Sequence, residues 1–378
     1  MKVGIIALDY MPGHMGGIET YFLDLLVNMQ RVDSPNEYLI FLNHQGYNRV
    51  SIQNPAFKKV LVRRGQISKI ANRIYRYTTG KELLISQIGR FKCDIWHFPF
   101  QVISPRGLNG KKIVSFMDIQ QEYYPEYFSP ADLISREKSF PYSARNADCI
   151  IAISGFTKQS LIEKYKIPPK KIKVIHLAHN TELFREDISD TLPPGLTLPK
   201  KYIYYPAASW PHKNHTRLIR AFSIVSKEYP DLRLVLSGLS KQSSHTVDGL
   251  ISSLGLNAKV VQLGFLPREY LPYVYRHALA LIFPSEFEGF GIPLLEAMAV
   301  GCPVASSNTT SLPEVLGSAG IYFDPLDVED IAAAIRNLAG DSGAREDLVN
   351  IGIKQARKFS NMKMATETIK LYEEINGS

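Results

Sequence analysis

One string in this 378-residue sequence concentrates groups that can do chemistry: Phe283-Pro284-Ser285-Glu286-Phe287-Glu288-Gly289-Phe290-Gly291-Ile292-Pro293-Leu294-Leu295-Glu296. An apolar stretch ends at Phe283, a glycine-rich loop follows, and Pro293 stands where a helix can start. Backbone amides near Gly291 can hold a phosphate at that helix start. The carboxylates of Glu288 and Glu296, eight residues apart, can then hold hydroxyls on either side. A capped helix with two solvated glutamates also accounts for the string.

Three further segments carry polar groups at strand-to-helix turns. Trp210-Pro211-His212-Lys213-Asn214-His215 puts a lysine after a strand and before a helix, where a diphosphate is well placed. Gly16-Gly17-Ile18-Glu19 follows the first apolar stretch and serves either an anion or a tight turn. Asp118, in Met117-Asp118-Ile119-Gln120-Gln121-Glu122-Tyr123-Tyr124-Pro125-Glu126-Tyr127-Phe128, ends a strand, as a cleft residue or a turn aspartate would. Other chemistries lack their residues. The glycine pair is not the six-residue dinucleotide fingerprint, and there is no P-loop, no G-x-S-x-G and no plausible Cys–His couple. His176 and His179 have HxxH spacing without an accompanying ligand cluster, so they read as structural, and no Asp-x-Asp clamp occurs. No metal is expected.

These turns need elements to hold them. Short apolar runs alternate with amphipathic stretches along the chain. Strands are predicted at 3–8, 38–42, 59–62, 95–97, 112–116, 149–153 and 172–175. After Pro193-Pro194-Gly195 they resume at 202–205, 233–236, 259–263, 279–283, 303–306 and 321–323. Helices are predicted at 18–30, 68–77, 80–89, 130–146 and 155–166, then at 215–229, 244–254, 268–278, 293–300, 328–338, 343–358 and 361–376. This rhythm is α/β, with two doubly wound parallel sheets. The expected division is a first domain over 1–185, a linker over 186–200, a second domain over 201–358 and a terminal helix over 359–378 that can cross back to the first domain.

Charge divides with the domains. Residues 1–180 carry 25 Lys and Arg against 14 Asp and Glu, and the remainder 19 against 22. The densest segment, 58–92, holds ten basic residues, among them Lys69, Arg73 and Arg76, and one acid, Glu82. Ile67, Ile70, Ile74 and Tyr77 interleave with them, as on a helix lying on anionic lipid or a helix packed on its own domain. No recognition motif points to nucleic acid. The three cysteines, Cys93, Cys149 and Cys302, form no framework, and no apolar run approaches the roughly 18 residues that cross a bilayer. The N-terminal apolar stretch is too short for a signal-peptide core, so a cytoplasmic protein is expected, with peripheral contact at the inner face of the plasma membrane.

Together these residues resemble the retaining, nucleotide-sugar-dependent glycosyltransferases of family 4, which have the GT-B architecture of two Rossmann-like domains facing a central cleft. The resemblance runs the length of the chain, from the Gly16-Gly17-x-Glu19 loop through Asp118, Pro125-Glu126-x-Phe128 and His212-Lys213-Asn214 to Glu288-x7-Glu296 and Leu312-Pro313-Glu314-Val315. The segment from Tyr205 to His215 is similar to a bacterial branch that builds polysaccharides, often with mannose. The resemblance implies that Glu288 contacts the donor sugar and Glu296 the ribose. Phe290, Gly291 and Ile292 would bind phosphate, and Lys213 the diphosphate, with Gly16 and Gly17 beside it. It implies a catalytic set of Asp118, Lys213 and Glu288 acting without metal, the donor being a GDP- or UDP-sugar and the acceptor a glycan or lipid-linked saccharide. Two positions depart from the family. Met117 stands where many members have His, and Ala208 where many have Arg. Without that arginine, diphosphate stabilisation rests on Lys213 and the backbone or on another basic residue, for which His212 is a candidate. A nucleotide-sugar epimerase and a non-catalytic nucleotide-sugar or glycan binder are the alternatives.

Overall fold

Strands buried along nearly their whole length, such as Lys2–Ala7, can only be parallel strands covered on both faces. The computed structural model, which describes residues 1–62, 83–239 and 245–377, contains two such sheets. The chain divides into two units, Met1–Leu177 with Asn361–Ser378, and Ala178–Ser360.

The first unit carries β1 (Lys2–Ala7), β2 (Glu37–Leu42), β3 (Phe57–Leu61), β4 (Ile95–Phe98), β5 (Lys111–Phe116), β6 (Cys149–Ala152) and β7 (Ile172–Val174). They pair in the order β3-β2-β1-β4-β5-β6-β7, every pair parallel. Its helices are α1 (Gly17–Met29), α2 (His44–Arg49), α3 (Leu83–Gly89), α4 (Pro130–Asn146) and α5 (Gly155–Tyr165). The second unit carries β8 (Tyr202–Pro206), β9 (Arg233–Ser237), β10 (Val260–Gln262), β11 (Ala280–Phe283), β12 (Val304–Ser307) and β13 (Gly320–Phe323), in the order β10-β9-β8-β11-β12-β13, again all parallel. Its helices are α6 (His215–Glu228), α7 (His245–Ser253), α8 (Leu271–Arg276), α9 (Ile292–Ala299), α10 (Leu312–Leu316), α11 (Val328–Gly340) and α12 (Ser342–Ala356); α13 (Asn361–Gly377) returns to the first unit.

In each sheet the strand order reverses once, at β1/β4 and at β8/β11. Parallel α/β sheets hold ligands at such a reversal, because the flanking connections leave in opposite directions and open a crevice at the carboxyl ends. The Gly16-Gly17 turn follows β1; the Lys213 turn follows β8 and the Glu288 loop follows β11.

Packing beneath these loops is tight. Trp96 packs against β1 so closely that a Cβ at Gly4 would stand 2.6 Å from its ring. His97 is fully buried. Its Nδ1 is 2.7 Å from the Tyr372 hydroxyl and its Nε2 2.7 Å from Ser115 Oγ, which also meets the Tyr21 hydroxyl at 2.8 Å. One buried polar chain therefore fastens α1, β4, β5 and the C-terminal helix together. Burial pushes the imidazole down to about 3, so it is neutral at pH 7.

Two boundary expectations need correction. Residues 178–200 belong to the second unit rather than to the first domain and a linker. They are irregular but held down: the Tyr270 hydroxyl donates to Pro194 O at 3.1 Å, and Arg276 pairs with Asp190 at 3.2 Å. Arg357 on the C-terminal side of α12 pairs with Glu186 at 2.8 Å. The second unit also runs to Ser360 rather than 358. The helix expected at 68–77, with Lys69, Arg73 and Arg76, lies outside the described residues.

Candidate active site

The site in the second unit is assembled from the turn after β8. Pro211 opens a single 3-10 turn, Pro211–Lys213, closed by Lys213 N–H donating to Trp210 O at 2.9 Å. Asn214 follows at φ +59, a left-handed conformation that asparagine tolerates. Its Nδ2 donates to Pro284 O at 3.1 Å and to Pro325 O at 2.7 Å, tying the loops after β8, β11 and β13 together. From below, the buried Tyr205 hydroxyl donates to Lys213 O at 2.6 Å. The lysine backbone is thus fixed before any ligand arrives.

Its ammonium points to the loop after β11, where Nζ meets Glu288 Oε1 at 2.5 Å. The two side chains are only 20% and 14% exposed, so the pair is shielded enough for its Coulomb energy to matter. The Glu288 loop is stitched to the loop after β12. Glu288 N–H donates to Thr310 Oγ1 at 3.2 Å, and Ser311 Oγ lies 2.9 Å from Glu288 O and 3.0 Å from Phe290 O. Gly291 caps α9 at φ +109, a left-handed conformation that favours glycine, and a Cβ there would also stand 2.8 Å from Leu312 Cδ2. In the first turn of α9 Pro293 has no N–H and Leu294 N–H donates to Gly291 O at 3.0 Å, so the Ile292 amide is the one left at a helix start of the kind that suits anions.

Glu296 lies in α9, 8% exposed, and accepts a hydrogen bond from the Tyr275 hydroxyl at 3.1 Å. Tyr275 is fully buried, edge-on to Tyr204 at 5.1 Å. Burial and the nearby Glu296 carboxylate hold its hydroxyl well above the ordinary tyrosine range, so it stays a donor.

A second ion pair flanks the first. Arg217, one helical turn beyond Lys213 in α6, donates to Glu286 Oε1 at 2.6 Å and to Asn214 Oδ1 at 3.2 Å. Burial keeps the Glu286 carboxyl above its usual range despite the opposing Arg217 charge. His212 does not supply the cation expected of it: burial and the adjacent Lys213 push its imidazole down to about 4, leaving it neutral at pH 7. Arg217 is the basic residue that the sequence reading missed; its place in the first turn of the helix that follows Lys213 was the available signal.

The first unit holds Gly16, Gly17 and Asp118. Gly16 caps α1 at φ +57, and a Cβ on either glycine would meet nothing within 4 Å. Glu19 folds back on the loop, accepting from Gly13 N–H at 2.8 Å and from the Tyr10 hydroxyl at 3.0 Å. Asp118 leaves β5 with Oδ1 accepting from Gln120 N–H at 2.9 Å. Gln101, at φ +64, accepts from both Met117 N–H at 2.8 Å and Asp118 N–H at 3.1 Å. Met117 is 8% exposed. The structure brings Lys213 and Glu288 into contact and sets Phe290, Gly291, Ile292 and Glu296 on the same loop and helix. Among the described residues no cluster of three or more His, Cys, Asp or Glu could hold a metal, and no helix is long and apolar enough to cross a membrane.

Two parallel-sheet Rossmann-like units, with charged loops at the strand-order reversals, define a GT-B glycosyltransferase. The chain belongs to the glycosyl transferases group 1: residues 193–355 match that family and residues 15–183 match Glycosyltransferase Family 4. It is 33% identical over 293 residues to O-antigen chain mannosyltransferase B of Escherichia coli, covering 75% of each protein. It is 34% identical over 224 residues to the serotype-specific mannosyltransferase WbdA of Escherichia coli, 57% of this chain and 27% of that one. Among solved structures, sucrose-phosphate synthase from Thermosynechococcus elongatus shares the fold with a TM-score of 0.79 at 19% identity, covering 99% of this chain and 98% of that one. Anabaena Alr3699/HepE in complex with UDP and glucose does so with a TM-score of 0.76 at 18% identity, over 99% of each.

Proposed function

We propose that this glycosyltransferase moves mannose from GDP-mannose to a hydroxyl of a glycan or lipid-linked saccharide in polysaccharide biosynthesis, with retention at the anomeric carbon and without a metal. The Lys213–Glu288 pair beside the α9 start is the observation that carries the reading. It sets one cation and the start of α9 where a diphosphate leaving group would gather charge, and one carboxylate where a sugar would turn positive. Glu296 then receives the ribose. The mannosyl choice is supported by the O-antigen mannosyltransferases among the relatives. Three free cysteines fit a reaction in the reducing cytoplasm. No enzymic nucleophile is assigned; in this reading the leaving phosphate helps deprotonate the acceptor on the same face. The test is a set of incubations with GDP-mannose and with UDP-glucose, each with and without EDTA, following nucleotide release and the anomeric proton of the product. Inversion, or activity only with UDP-glucose, would refute the corresponding part.

Asp118 belongs to the acceptor side in this reading. Asp118→Asn keeps an oxygen for the Gln120 amide and so should fold normally. Transfer should fall at least tenfold, with nucleotide affinity unchanged in calorimetry; wild-type turnover would remove Asp118 from the mechanism.

Peripheral contact with an anionic membrane through 58–92 is part of the same proposal, supported by ten basic residues against one acid. Liposomes containing phosphatidylglycerol should bind the protein at low salt and release it as salt rises, since the screening length falls to about 8 Å at physiological ionic strength. Flotation without bound protein at any salt would remove this part.

A further inference from the structure

The second sheet's carboxyl rim carries two large aromatic side chains in open solvent, Trp210 after β8 at 61% exposure and Phe265 after β10 at 75%. Indoles are normally well covered, because each offers a large apolar surface, so an open one at a polar site calls for an occupant. Trp210 is also held in place. Its backbone is extended (φ −69, ψ 143) ahead of Pro211, and its carbonyl accepts the Lys213 amide at 2.9 Å. Its backbone therefore lies one 3-10 turn, about 6 Å along the turn axis, from the lysine that meets Glu288.

We infer that Trp210 is a saccharide-stacking residue whose indole carries a pyranose ring beside the Lys213–Glu288 pair. A pyranose gathers its axial C–H groups on one face, making an apolar patch that lies flat on an aromatic ring while the hydroxyls stay free for polar neighbours. That division fits this rim, where the turn that carries the open indole also carries Lys213 of one carboxylate–cation pair, with a second pair, Arg217–Glu286, from the helix that follows, both able to meet hydroxyls. The shared chemistry is the pyranose face; its source is either the donor hexose or the acceptor saccharide. The inference rests on the donor site proposed above.

The chain contains two tryptophans, which gives a direct readout. Trp96 is fully buried with its indole N–H donating to Asn109 O at 2.7 Å, so acrylamide quenching reports Trp210. Quenching is measured with GDP alone, with GDP-mannose and with α-linked mannotriose. GDP should leave Trp210 accessible, whereas one sugar-bearing probe should protect it: GDP-mannose if the donor hexose stacks, mannotriose if the acceptor does. Trp210→Ala should raise the KM for that same substrate by about tenfold, with the other KM and the GDP affinity unchanged, and Trp210→Phe should restore most of the loss. Protection by GDP as strong as by GDP-mannose, protection by neither sugar, or wild-type KM values in Trp210→Ala would overturn the assignment. A wild-type protein that bound no nucleotide would instead overturn the donor site, and the mannotriose arm would still decide the role of the indole.

Discussion

Lys213→Ala should lower kcat by roughly a hundred- to a thousandfold, the usual loss when one preorganised group that stabilises transition-state charge is removed. The Lys213 backbone is fixed by the 3-10 turn, Asn214 and Tyr205 at a rim where α9 begins, so only the side chain has to adjust as the diphosphate leaves. Donor binding should weaken by less if the start of α9 holds the phosphates as proposed. Steady-state kinetics with calorimetry separate the two. A raised KM with unchanged kcat would mean that the lysine binds donor and transition state equally. Glu288→Gln is the companion. In the ligand-free protein the carboxylate already occupies the ammonium at 2.5 Å, so a diphosphate has to take that ammonium over or share it. Removing the competing charge should leave GDP affinity equal to wild type or tighter while turnover falls. A marked loss of GDP affinity in Glu288→Gln would show that the pair acts as one binding unit.

Glu296→Ala should weaken nucleotide binding by about 1.5–3 kcal/mol if its carboxylate accepts ribose hydroxyls, since hydrogen bonds to charged groups are worth that much. The same substitution strands the buried Tyr275 hydroxyl, which now donates to Glu296 Oε2 at 3.1 Å, so it should also lower the melting temperature. Glu296→Gln separates the effects, because the amide oxygen still accepts from Tyr275 while the charge is gone. Tyr275→Phe provides the converse, a carboxylate kept without its donor. Calorimetric titration of GDP into the three variants is the measurement. Wild-type affinity in both folded Glu296 variants would remove the ribose assignment.

Much of the fold was legible because its signals are local. Strand runs of apolar and β-branched residues, each ended by a turn, appear within a residue or two at all thirteen strands among the described residues. Two helices escaped notice, His44–Arg49 and Leu312–Leu316. At six and five residues they are too short to show a 3.6-residue period. The irregular stretch around Pro193-Pro194-Gly195 looks like a linker because its composition has no period. Yet Tyr270, Arg276 and Arg357 reach it from helices or turns far along the chain and make it part of the second unit. The sequence reading could offer His212 only as a candidate cation beside Lys213. Burial, which only the folded chain supplies, makes it neutral and leaves Arg217 to provide the second charge.

The sequence by itself determined which turns could carry chemistry, because glycine, proline and the strand-to-helix switch act over a few residues. Gly291 before Pro293 announces a helix start at the end of a strand whatever the rest of the chain does. Only the tertiary structure decided which turns meet. Lys213 and Glu288 are 75 residues apart and touch because β11 pairs with β8 at the strand-order reversal, bringing their two loops to one point on the rim. Asn214 reaches Pro325 across 111 residues for a related reason, since β13 closes the same side of the sheet. Periodicity marks a strand without naming its neighbour; the neighbour follows from how helices of given length and handedness pack back on the sheet.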